Sequence, residues 1–223
     1  MNDGPRLQRT WPTAVGLLVA LGGPPALVAI SLRVFGDSPT LGVETMLQLV
    51  LCGLAAFVGF VVLRLERLPL RSIGLRRPSW STLVTALLLT AVGFVLLPLA
   101  TAPLVKAFAQ AGADAGVARL AAMPVGFRLF VGATSGVVEE TLYRGYAVER
   151  LAALTGRRWL GAALATAAFG AAHIPFWGVR FALLADLPVG VILVLFYLWR
   201  RDLLANMSAH SAGLIIALLT IVP

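Results

Sequence analysis

STLVTALLLTAVGFVLLPLATAPLV, residues 81–105, runs for 25 positions without one ionisable side chain. As a helix it is about 37 Å long, more than the ~30 Å hydrocarbon core of a bilayer, so it predicts a transmembrane span. Working outward, apolar runs of similar character occupy residues 11–34, 46–63, 124–154, 159–174, 187–199 and 203–222. Between them lie a basic connector over 64–80 and an Ala/Gly-rich segment over 106–123, read as a loop or an interfacial helix. The whole chain of 223 residues is 59% hydrophobic and 13% charged, with a mean hydropathy of +0.91, which excludes a water-soluble globule. The expected fold is an all-α, polytopic membrane helix bundle of about seven transmembrane helices. It forms one integral membrane domain over 1–223, with no room for a separate soluble one. The first run is too long for a secretory h-region and reads as a retained span, which Gly22-Gly23-Pro24-Pro25 should kink, break or fold into a re-entrant hairpin.

A formal charge of +8 would suggest a nucleic-acid partner in a soluble protein. Here the basic residues stand between apolar runs, where they record topology, and no nucleic-acid partner is expected. An N-terminus in the cytoplasm puts twelve basic residues inside, with Arg6, Arg9, Arg64, Arg67, Arg71, Arg76 and Arg77 among them. Five remain outside: Arg33, Lys106, Arg119, Arg128 and Arg180. The expectation is a multi-pass protein of the cell membrane, N-terminus inside, with lipid as a partner. Cys52 is the one cysteine, so neither an intrachain disulfide nor a cysteine metal cluster is available.

In an apolar chain the informative residues are the polar ones that persist deep in the spans, since a charge at mid-span costs about 2.5–3.5 kcal/mol on insertion scales. These are Glu139, Glu140, Arg144, His173, Asn206 and His210, in the fourth, fifth and seventh runs. Adjacent glutamates on a helix point about 100° apart, and Arg144 lies one turn beyond Glu140. Glu140 and Arg144 can therefore pair, leaving Glu139 to face a cavity. A buried charge lock between helices, an interfacial histidine and polar glue are the structural alternatives for these groups. Their coincidence in one chain favours a shared site.

Carboxylate with imidazole is equipment for activating water and stabilising an oxyanion, so hydrolysis is the natural chemistry. The same groups suit a divalent metal such as zinc, with Glu139, His173 and His210 as ligands, or a site with no cofactor. H-E-x-x-H is absent. Ala133-Thr134-Ser135-Gly136 falls one glycine short of the G-x-S-G of rhomboid serine proteases, with Ser135 facing a histidine in that version. A proton or ion site of a transporter is a further alternative, although no internal repeat is evident.

Glu139-Glu140-Thr-Leu-Tyr-Arg144, Phe169-x-x-x-His173 and the late intramembrane His210, over about 128–214, together resemble the CPBP family. That family includes CAAX prenyl endopeptidases and bacteriocin-processing or self-immunity proteins. The resemblance implies an intramembrane endopeptidase, metal-dependent or not, acting on a membrane-associated, amphipathic or prenylated peptide. It also implies roles: Glu139 as general base, His173 positioning the water, Glu140 and Arg144 supporting the site, and His210 stabilising the oxyanion. The family pattern H-x-x-x-Asn/Asp is broken at Leu214, and Asn206, one turn before His210, is the nearest substitute. That departure supports the alternative of a catalytically weak or inactive peptide-binding or immunity protein.

Overall fold

The computed structural model describes residues 10–36 and 40–220; Arg6 and Arg9, which entered the topology count, lie outside them. Eight helices follow one another, with no strand among the described residues. They are α1 (Trp11–Phe35), α2 (Leu41–Leu65), α3 (Trp80–Phe108), α4 (Gln110–Ala121), α5 (125–155), α6 (Arg158–Trp177), α7 (Val179–Arg200) and α8 (Leu203–Thr220). All but α4 and α5 are long and apolar enough to cross a membrane, giving six such helices among the described residues. The fourth of the seven expected spans, α5, is not among them, set apart by its charges: Arg128, Glu139, Glu140, Arg144, Glu149 and Arg150. The segment read as a loop or interfacial helix contains α4, which meets the far end of α6 where Arg119 lies 4.9 Å over the Phe176 ring and pairs with Glu44 of α2 at 2.8 Å.

Proline does not break these helices. Gly22-Gly23-Pro24-Pro25 was expected to kink, break or reverse α1, but the helix runs through, absorbing the defect in a π-helical turn at Leu18–Gly22. The same device precedes Pro98, after the π turn Ala91–Leu96, and Pro188, after Ala182–Asp186. A proline lacks an N–H and its ring crowds the carbonyl one turn back; a wider turn there relieves both. One consequence is that α7 begins at Val179 instead of residue 187, which draws Asp186 into the span. The longest π segment, Glu140–Val148, contains no proline and lies at the centre of α5.

Four of the five tryptophans mark one end of the bundle. Trp11, Trp80, Trp159 and Trp199 stand where α1, α3 and α6 start and α7 stops, beside the arginine-rich segments, and all are exposed. Indole rings favour the membrane–water boundary, so this girdle defines an interface at the basic end.

The core of the bundle is the contact of α5 with α8. Gly132 and Gly136 form a small-xxx-small pair; a Cβ on Gly136 would stand 2.5 Å from the Ser211 nitrogen, and one on Gly132 would stand 3.1 Å from that of Ile215. The missing side chains let the two backbones touch. This explains the Ala133-Thr134-Ser135-Gly136 run better than a serine nucleophile: the Ser135 hydroxyl accepts from Gln48 Nε2 at 3.2 Å and bonds neither histidine. Gly136→Ala should cost roughly 1–3 kcal/mol by overpacking. In detergent its unfolding temperature falls below that of Gly126→Ala, where the added methyl meets nothing within 4 Å.

Two further polar clusters fix the basic end. Glu66 accepts from Thr13 Oγ1 (2.8 Å) and Tyr146 OH (2.9 Å) and pairs with Arg150 Nη2 (2.7 Å), tying α1 and the connector to α5. Arg201, in the left-handed region at φ 48°, makes two 2.7 Å bonds to Glu149, which hold its guanidinium above its ordinary pKa and set the turn into α8. Asp202 then caps α8 through the Ala205 N–H at 3.2 Å and accepts from Thr82 Oγ1 of α3 at 2.6 Å.

Candidate active site

The α5–α8 contact brings Glu140 against α8. Its Oε1 lies 3.0 Å from Arg144 Nη1 and 2.9 Å from His210 Nδ1, while Oε2 accepts from Asn206 Nδ2 at 3.1 Å. Glu140 and Arg144 are all but fully buried, at 0% and 1% exposure. Arg144 also donates to the Gly190 carbonyl of α7 (3.3 Å) and stacks 4.0 Å over the Phe169 ring. Every oxygen of Glu140 is therefore committed, and the residue is a hub joining α5, α7 and α8.

Glu139 points elsewhere. Its side chain keeps 23% exposure, and no hydrogen bond to its carboxylate occurs among the described residues. Oε2 lies 3.9 Å from His173 Nε2 and 3.8 Å from His210 Nε2. Both imidazoles are held by their other nitrogen: His173 Nδ1 on the Phe169 carbonyl (2.8 Å) and His210 Nδ1 on Glu140. A carbonyl and a carboxylate accept, so both Nδ1 atoms carry a proton and both Nε2 atoms face Glu139. Gaps of this size are ones that a bridging water spans.

The meeting of His173 with Glu139 follows from the α5–α6 hairpin. Both residues stand about 25 Å along their helices from the turn at Gly156, by the 1.5 Å helical rise. His210 lies much nearer its own turn, so the α5–α6 hairpin reaches further toward the basic end than α7–α8. Phe169 serves twice, its carbonyl orienting His173 and its ring covering Arg144, with Tyr143 edge-on at 5.4 Å. Phe94 of α3 stacks on His210 at 5.3 Å from the other side.

Asn206 has a different place from the one expected of a substitute oxyanion donor. Its amide nitrogen donates to Glu140 and to the Leu193 carbonyl (2.8 Å), which uses both hydrogens and keeps it behind the hub. Leu214 offers no donor. The donor set was also weighed as a zinc site. Tetrahedral zinc needs ligand atoms roughly 3.3–3.4 Å apart. The 3.8 and 3.9 Å gaps exceed this, and no group of three His, Cys, Asp or Glu able to hold a metal ion occurs among the described residues. The arrangement as it stands does not fit that ion.

Two residues escaped the sequence reading. Tyr143 OH and Asp186 Oδ2 are buried without a hydrogen-bond partner among the described residues. Leu187, next to Asp186, lies against Gly170 of α6, about one turn before His173. The signal for Tyr143 was its position one turn after Glu139. Asp186 stood just ahead of the apolar run read as 187–199.

Fold and centre together define a polytopic α-helical membrane protein with a carboxylate–imidazole site inside its bundle. Residues 121–213, under half of the chain but holding all of Glu139, Glu140, Arg144, His173, Asp186, Asn206 and His210, match the family model described as Type II CAAX prenyl endopeptidase Rce1-like. Over this segment the chain is similar to type II CAAX prenyl endopeptidases. No curated protein and no solved structure matches the chain.

Proposed function

We propose that the protein is an intramembrane endopeptidase that hydrolyses a peptide bond of a membrane-associated or amphipathic peptide, prenylated substrates included. The observation that carries this reading is the Glu139 carboxylate, uncommitted, facing the Nε2 atoms of His173 and His210 at 3.9 and 3.8 Å. Glu139 takes a proton from a water that the His173 Nε2 lone pair orients, and the hydroxide adds to the scissile carbonyl carbon. His210, its Nδ1–H held by Glu140, turns Nε2 toward the place where the oxyanion develops and stabilises it there. Glu139 returns its proton to the nitrogen as the C–N bond breaks. Glu140, Arg144 and Asn206 touch no substrate in this scheme; they hold His210 and the backbone of α5. The test is fragment release from a library of membrane peptides by wild type beside Glu139→Gln, both in lipid nanodiscs.

A second reading, a peptide-binding or immunity protein, is favoured by one observation: Leu214 cannot donate, and Asn206 is fully engaged with Glu140 and Leu193. Peptide that binds wild type and is never released as fragments selects this reading.

The tryptophan girdle and the flanking arginines support a cell-membrane location with the basic end in the cytoplasm. A reporter fused after Arg77 should give a cytoplasmic signal, and one fused after Ala122, beyond α3 and α4, the opposite. Equal signals overturn this orientation.

A further inference from the structure

The water, the general base and the oxyanion donor account for three of the four demands of amide hydrolysis. The fourth is the leaving nitrogen, which enters as an N–H donor and departs as an amine. Within a membrane that N–H needs an acceptor, because no bulk water replaces it. Asp186 supplies one that nothing else uses. It lies at the end of the π turn Ala182–Asp186 in α7, inside the span, and its Oδ2 is buried without a hydrogen-bond partner among the described residues. A buried orphan acceptor in a native fold requires an explanation. α7 carries it alongside the centre: a Cβ on Gly170 of α6 would stand 3.1 Å from Leu187 Cδ1, and one on Gly190 would stand 2.9 Å from the Phe169 ring and 3.3 Å from Arg144 Nη2, so the charges of His173, Glu139 and His210 act on Asp186.

Resting on the peptidase reading above, we propose that Asp186 is a further catalytic residue, the acceptor that holds the scissile N–H and stabilises the nitrogen as it becomes an amine. Oδ2 accepts the N–H of the bound peptide, which turns the amide so that its carbonyl carbon faces the Glu139 water. As the C–N bond breaks, the proton on Glu139 passes to nitrogen, the electron pair of the bond stays on nitrogen, and the positive charge developing there falls beside the Asp186 carboxylate. Asp186 gains and loses no atom. Phe169 and Arg144 leave the other acceptors nearby occupied: the Phe169 carbonyl holds His173, and the Gly190 carbonyl holds Arg144.

The experiment uses the full chain in lipid nanodiscs and two probes: a quenched fluorescent amphipathic peptide that wild type cleaves, and its depsipeptide with oxygen in place of the scissile N–H. Loss of a charge-assisted hydrogen bond in the transition state predicts that Asp186→Asn lowers kcat on the amide roughly 10- to 100-fold with little change in KM. On the ester, which has no N–H and releases a neutral alcohol, the fall should be under about threefold by the same reasoning. Asp186→Leu should lose more than Asp186→Asn on the amide, and Asp186→Glu should recover part of the rate. An equal loss on amide and ester gives Asp186 a structural role and overturns the proposal, as does an undiminished amide rate in Asp186→Asn. If wild type cleaves neither probe nor any peptide of the library, the peptidase reading itself fails and the proposal falls with it.

Discussion

Glu139→Gln lowers peptide release by about 10²- to 10⁴-fold, the range expected when a positioned general base is lost. The amide keeps the size of the side chain but cannot take the proton of the attacking water. Its neighbours make the substitution clean: Glu139 accepts no hydrogen bond among the described residues, and both histidines are anchored through Nδ1, so neither ring loses its support. The variant should therefore elute and melt like wild type while its initial rate on a quenched membrane peptide collapses. A rate above about a tenth of wild type would remove Glu139 from the base role.

Arg144→Ala has the opposite signature. Arg144 and Glu140 form an ion pair at 3.0 Å with side chains 1% and 0% exposed. Removing one partner of a buried pair leaves an uncompensated charge and typically costs about 3–5 kcal/mol, a large share of a total stability of roughly 5–15 kcal/mol. The stacking on Phe169 and the bond to Gly190 are lost with it. The expected result is a sharp fall in the yield of monodisperse protein. Replacing both partners, as Glu140→Gln with Arg144→Met, should recover part of that yield. Wild-type yield from Arg144→Ala alone would show that the hub is not structural.

Much of this architecture was legible in the sequence because the bilayer reduces folding to a one-dimensional pattern. A run such as 81–105 can only be a helix when it must satisfy its own backbone in lipid, and the arginine connectors separate such runs. The divergence of Glu139 from Glu140 was also legible, since neighbouring residues on a helix cannot share a face. What escaped depended on the third dimension. Asn206, His210 and position 214 share one side of α8, yet only packing against α5 decides that Glu140 takes the hydrogens of Asn206. Gly136 read as the end of a near-miss serine motif until the backbone of α8 is seen lying against it and Gly132. Glu66 counted as part of a loop, although it closes a buried cluster with Thr13, Tyr146 and Arg150. Asp186 was lost because the run was read only from residue 187, and the wide turn that carries the helix past Pro188 leaves no mark in a hydropathy profile.

The charge on α5 bears on how the chain is made. At the insertion machinery each helix is judged largely alone, and one bearing Glu139, Glu140 and Arg144 near its middle partitions poorly, by about 2.5–3.5 kcal/mol for each charge. The partners that offset this emerge later: the carbonyl of Gly190 in α7, then Asn206 and His210 in α8. A nascent chain halted before residue 203 therefore holds α5 with Glu140 paired to Arg144 but without Asn206 and His210, which complete its contacts. Biogenesis must keep that helix waiting, shielded by the translocation channel or lying at the lipid surface, until almost the last span has been synthesised.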